Sequence, residues 1–124
     1  MSQWETLNME DKIRGILRNL QTYAPDEFGM MYVSPYQIAI ELDEETRAAL
    51  GMPVGGAGAG PNNSIAQYIA HQLSLRIKSG EITDIEGAWL AKQHTHEVSF
   101  KHGEQKIVAT GGVDAVISMF RLRS

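Results

Sequence analysis

The sequence predicts an α+β protein in which an antiparallel sheet fills the second half and two amphipathic helices pack on one of its faces. Three observations predict it. Apolar residues recur at helical spacing over residues 9–24 and 64–79, the period shortens towards two after Glu81, and His102-Gly103-Glu104-Gln105 separates two alternating runs as a tight turn would. A chain of 124 residues fits one domain, taken as 1–124, and folding at this size buries roughly two-thirds of the surface that the unfolded chain exposes. Such a core needs no covalent staple, in keeping with a sequence that has no cysteine.

The first helix is expected to begin after Asn8 as N-cap. Glu10 and Asp11 then complement the dipole, and Met9, Ile13, Ile16, Leu17, Leu20, Tyr23 and Ala24 share one face. Pro25 disfavours helical geometry in the residue before it and ends the helix. Met30 to Val33 reads as a short strand and the alternating Tyr36 to Leu42 as a stronger one, with a break at Pro35. Asp43 caps a short helix that reaches Leu50 and closes at Gly51. Residues 52–63 offer almost no side chains to bury and are expected to form a glycine-rich loop. Ser64 then caps a helix that runs to Ser79 and stops at Gly80, with Ile65, Tyr68, Ile69, Leu73 and Ile77 facing inward.

Four strands are expected beyond it: Glu86 to Ala91, His96 to Lys101, Lys106 to Gly111 and Ala115 to Leu122, joined as a meander. A turn at Gly103-Glu104 sets Phe100 opposite Ile107, Val98 opposite Ala109 and Lys101 opposite Lys106. A turn at Gln93-His94 sets Trp89 opposite Val98, which gathers Trp89, Val98, Phe100, Ile107 and Ala109 on one apolar face. The last strand is apolar on both faces, as an inner strand or a subunit contact would be. Helix, strands, helix and meander in this order are compatible with a cone-shaped α+β roll.

Composition narrows the function. The formal charge is −4, with nine acids and four bases in residues 1–60 against six acids and seven bases in 61–124. Without a basic stripe, nucleic-acid binding is not expected. The first residues lack a signal-peptide pattern, no apolar run approaches the ~20 residues of a membrane span, and cysteine is absent, so a cytoplasmic protein without membrane association is the expectation.

Three groups of residues could carry function. His94 and His96 lie two apart, which in a strand turns both imidazoles to one side, towards a pocket that Trp89 and Tyr68 would also line. A metal site would need a third ligand, and none is evident: Glu97 points the other way, and His102 lies roughly 20 Å further along the strand. Second, the glycine loop precedes a helix N-terminus, so Gly58, Gly60, Asn63 and Ser64 are candidates for an anion cradle, although no Gly-Lys-Ser/Thr follows. Third, Trp4, Met30, Met31 and Tyr32 fall outside the strongest periodic elements, as interface residues do.

No nucleophile, base and orienting acid assemble in the pattern, and no catalytic residue, metal ligand set or cofactor is assigned. The expectation is a non-enzymatic binding or protein-interaction module that self-associates as a homo-oligomer. The alternative is a small-molecule-binding protein or small enzyme with a pocket between helix 64–79 and the sheet near His96.

Overall fold

A computed structural model describes residues 2–21, 28–55, 64–91, 93–95, 97–109 and 117–123. Among these are α1 (Gln3–Thr6), α2 (Met9–Asn19), α3 (Pro35–Glu41), α4 (Glu44–Leu50), α5 (Ile65–Ser79), β1 (Ile85–Leu90), β2 (Ser99–His102), β3 (Gln105–Val108) and β4 (Ile117–Leu122). The α+β class holds.

The amphipathic helices form as their periodicity requires. Met9, Ile13 and Leu17 of α2 and Ile65, Ile69 and Leu73 of α5 are buried in one core with Ile38, Ile82, Ile85 and Phe120. Each such side chain contributes roughly 1.5–3 kcal/mol on leaving water. Asn8 stands at the start of α2 as expected, but in left-handed geometry (φ 55°) and with no side-chain capping bond. The helix ends at Asn19, and Tyr23 and Ala24 lie outside the described residues. Asp43 and Ser64 cap α4 and α5 through side-chain oxygens, and Gly51 and Gly80 close these helices in left-handed conformation.

The expected strand at 36–42 is instead a helix, α3. Ser34 accepts from the backbone N–H of Gln37 while the Gln37 side chain accepts from the N–H of Ser34, a reciprocal capping box with Pro35 in the first turn. Ile38, Ala39 and Leu42 then meet the core at helical spacing. Nor do residues 30–33 form a strand: Val33 makes one isolated antiparallel bridge, to Phe120.

The meander is replaced, among the described residues, by two separate two-stranded antiparallel sheets. The β2/β3 hairpin has the anticipated register, with Phe100 opposite Ile107, Lys101 opposite Lys106, and Gly103 at φ 63° in the turn. Ala109 N–H also donates to the Val98 carbonyl. β1, however, pairs with β4, so Trp89 faces Ser118 rather than Val98. The reason is packing. Ile85, Phe120 and Leu122 lie on the side of the β1/β4 ribbon that meets α2 and α5, whereas the hairpin leans on α3, where the Phe100 ring stacks on Tyr36 at 5.4 Å.

The main-chain bonds of the ribbon show which way its edge faces. Phe120 spends both its N–H and its carbonyl on Val33, on the side away from β1. Gly87, opposite Phe120, therefore belongs to a non-hydrogen-bonded pair of the ladder and turns its own N–H and carbonyl outward. Arg123 N–H donates to the Asp84 carbonyl, which fixes the same alternation from the other end. Gly87 and Trp89 thus present their main-chain groups at a strand edge that no other strand covers among the described residues, whereas Ile85, in the same orientation, has no exposed surface.

Candidate functional site

Where α5 and the ribbon diverge, an open cleft of about 270 Å³ is lined by Ser74, Ile77 and Lys78 of α5 and by Gly87, Ala88, Trp89, Ser118 and Phe120. Sequence explains its shape. Side chains at 85, 87 and 89 point to the same side of β1. Ile85 is buried there, Gly87 has no side chain, and the Phe120 ring lies within 3.3 Å of where a Cβ on Gly87 would stand, so the glycine and the ring line the cleft together. Trp89 follows at the rim and is 70% exposed, with Leu90 exposed beside it on the opposite face. The lining is mainly apolar, with the Lys78 ammonium and the Ser74 and Ser118 hydroxyls as polar groups.

Of the residues expected to line a pocket, Trp89 does so. Tyr68 lies elsewhere: it is half-buried edge-on against Trp4, ring centroids 5.8 Å apart, and burial pushes its phenol pKa up. His94 is an exposed residue in left-handed conformation (φ 67°) in the turn after β1 and is not among the cleft residues. His96 lies outside the described residues, as do Gly58, Gly60 and Asn63.

The proposed anion cradle rested on free N–H groups at the start of α5, and those groups are already engaged. Ile65 N–H donates to the Pro53 carbonyl at 2.8 Å, Ala66 N–H to the Val54 carbonyl at 3.0 Å, and Gln67 N–H to Ser64 Oγ at 3.2 Å. Ser64 itself is buried. The first-turn N–H groups of residues 65–67 are thus paired with the carbonyls of Pro53 and Val54 and with the Ser64 hydroxyl.

A second cleft, of about 260 Å³, sits at the junction of α1 and α2 and is lined by Trp4, Glu5, Asn8, Met9, Glu10 and Asp11. Its Glu10 and Asp11 already serve the first turn of α2 and the Arg14 guanidinium. Among the described residues, no group of three or more His, Cys, Asp or Glu side chains is placed to hold a metal ion, and no helix is long and apolar enough to cross a membrane.

The feature that sequence reasoning missed is the free edge of β1. Its signal was available: Ile85-Glu86-Gly87-Ala88-Trp89-Leu90 lacks the lysine, proline or inward-pointing charge that ordinarily guards a sheet edge. Its one acid, Glu86, is occupied by Arg121. Comparison with known proteins adds no functional assignment, because no family model, curated protein or solved structure matches the chain.

Proposed function

We propose that the protein is a non-enzymatic interaction module that self-associates, and that its contact surface is the β1 edge with the Trp89 cleft beside it. The observation that carries this reading is the exposure of Trp89, at 70%, on a strand whose outward main-chain groups have no strand partner among the described residues. An indole is costly to leave in water, and it is a side chain enriched at the centre of interfaces. A free, apolar strand edge calls for a further strand.

The test is sedimentation velocity over a wide concentration range. The average mass is expected to rise from one chain towards two, and substitution of Trp89 by Lys is expected to hold it at one. A mass of one chain at every concentration for the unaltered protein overturns the reading.

The cleft also favours a second reading, in which it takes a small apolar ligand. Trp89 would then report directly: its emission should shift to the blue on addition of a medium-chain fatty acid. No shift at saturating, non-micellar concentrations overturns that alternative.

A further inference from the structure

The geometry points to a specific dimer: β1 pairs antiparallel with β1 of a second copy, in a register centred on Ala88, so that Trp89 of each chain enters the cleft beside Gly87 of the other. This rests on the self-association proposed above and adds the partner segment and its register.

The hydrogen-bond alternation restricts the choices. Of the β1 residues that turn their N–H and carbonyl groups away from β4, Gly87 and Trp89 are exposed, so the ladder must be built from registers that set these two opposite one another. Registers centred on Glu86 or on Gly87 would set Gly87 or Trp89 against Ile85 of the partner, a residue with no exposed surface to receive a strand or an indole. One centred on Trp89 would set the indoles against each other and Gly87 against Ala91, with no indole in either cleft. The register centred on Ala88 sets Gly87 against Trp89 of the partner, and the two residues exchange both main-chain bonds. The donors and acceptors of one edge then meet the acceptors and donors of the other.

Side chains at 87 and 89 share the face that looks towards α5. The partner's indole therefore lies over Gly87, beside Ile77 and the Phe120 ring, where the cleft is. Aromatic side chains commonly cover a glycine across a strand pair in this way. The two-fold axis runs perpendicular to the sheet beside Ala88, so the contact is isologous and closes on itself. The two ribbons merge into one sheet in the order β4–β1–β1–β4.

The area buried is small. An indole carries roughly 150–250 Å², so two indoles and two strand edges stay below the ~1,200–2,000 Å² of stable complexes. The contact is thus at the small end of protein interfaces, where association is reversible, and an apolar ligand in the cleft competes with it.

The chain has no cysteine, which makes a single introduced thiol a clean reporter. In the proposed register, residue 88 faces residue 88 of the partner in a non-hydrogen-bonded pair. Its Cα atoms are about 4.5 Å apart, within the span of a disulfide. Ala88→Cys under mild oxidation is expected to give a disulfide-linked dimer at least about ten times faster than Leu90→Cys, whose own copies stand too far apart to bridge. Trp89→Lys in the unlinked protein is expected to weaken the dimer by roughly 30-fold or more, as loss of a central aromatic anchor does.

A dimer by sedimentation whose Ala88→Cys variant links no faster than Leu90→Cys, or links only when mixed with Leu90→Cys, overturns this register while leaving self-association standing. A chain that stays monomeric throughout overturns both. Circular dichroism of the variants separates either result from a failure to fold.

Discussion

Arg121 stands directly opposite Glu86 in the β1/β4 ladder, its Nε 2.7 Å from Glu86 Oε1. The same guanidinium lies 4.4 Å from the centroid of the Tyr32 ring and donates through Nη1 to the carbonyls of Phe28 and Met30. One side chain thus ties the ribbon to the segment that leads into α3. Because both partners are half-buried, its removal leaves Glu86 and main-chain carbonyls short of a donor. Arg121→Ala is expected to destabilise the protein by about 2–3 kcal/mol. Arg121→Lys recovers less than half of that, since an ammonium cannot donate in the guanidinium's fork or lie flat on the ring. Arg123, more exposed and 3.4 Å from Glu86, should cost no more than about 1 kcal/mol on substitution by Ala. Urea unfolding of the three variants checks the ordering, and equal midpoints for Arg121→Ala and Arg123→Ala would contradict it.

Much of the fold was legible because it follows from local rules. The faces of α2 and α5, the caps at Asp43 and Ser64, and the register of the β2/β3 hairpin all depend on residues a few positions apart. What was not legible depends on choices between distant partners. The apolar alternation of β1 suits β2 and β4 about equally, and the burial of Ile85 and Phe120 beneath α2 and α5 decides for β4. Tyr36 to Leu42 failed differently. Tyr36, Ile38, Ile40 and Leu42 alternate as in a strand, yet Pro35, Ile38, Ala39 and Leu42 also fit a helix, and the sequence Ser34-Pro35-Tyr36-Gln37 carries the capping signature that resolves the tie. Of the candidate site, Trp89 was found from its own alternating strand, whereas the unpaired edge beside it followed only from the β1/β4 pairing.

That capping box can be tested on its own. Ser34 is fully buried, so Ser34→Ala deletes the acceptor for the Gln37 N–H without giving that group access to water. A loss of about 1–2 kcal/mol is expected, with a smaller loss for Gln37→Ala. Ser34→Asp, which keeps an acceptor at the cap but brings a charge into a buried site, should recover only part of it. Thermal unfolding followed by circular dichroism gives the ranking. If Ser34→Ala melts with the unaltered protein, the cap contributes nothing.

Gly55 passes close to the ring stack that holds the hairpin. A Cβ at this position would lie 2.7 Å from Cε1 of Tyr36, whose ring is stacked on Phe100. Gly55→Ala therefore displaces Tyr36 and loosens β2/β3 from α3, at a cost of about 1–3 kcal/mol. The accompanying Tyr36→Leu substitution, which removes the obstructing ring, should make the added methyl nearly neutral. The double-mutant cycle measures this directly, and additive losses would show that the two positions do not interfere.

Acid sensitivity has an identifiable source in the link between α2 and the loop before β1. Arg14 Nε donates to Asp84 Oδ2 at 2.8 Å and Nη2 to Oδ1 at 3.2 Å, and this guanidinium bonding holds the Asp84 pKa below the ordinary carboxylate value. Asp43 is shifted the same way, chiefly by the Thr46 hydroxyl and then by the Thr46 N–H. A carboxylate whose pKa is lower folded than unfolded stabilises the fold fully above its unfolded pKa, about 3.9. That contribution disappears as pH falls through the folded value. Stability is therefore expected to be flat with respect to these groups from neutrality down to about pH 5 and to fall below it. Asp84→Asn should lower stability at neutral pH and flatten the acid limb, and the slope that remains should shrink again in the Asp84→Asn, Asp43→Asn double variant. Since Asp84 is half-exposed, added salt weakens its share. Urea midpoints measured from pH 7 to pH 3 decide the matter: an acid limb of unchanged slope in Asp84→Asn would place the acid sensitivity in other carboxylates.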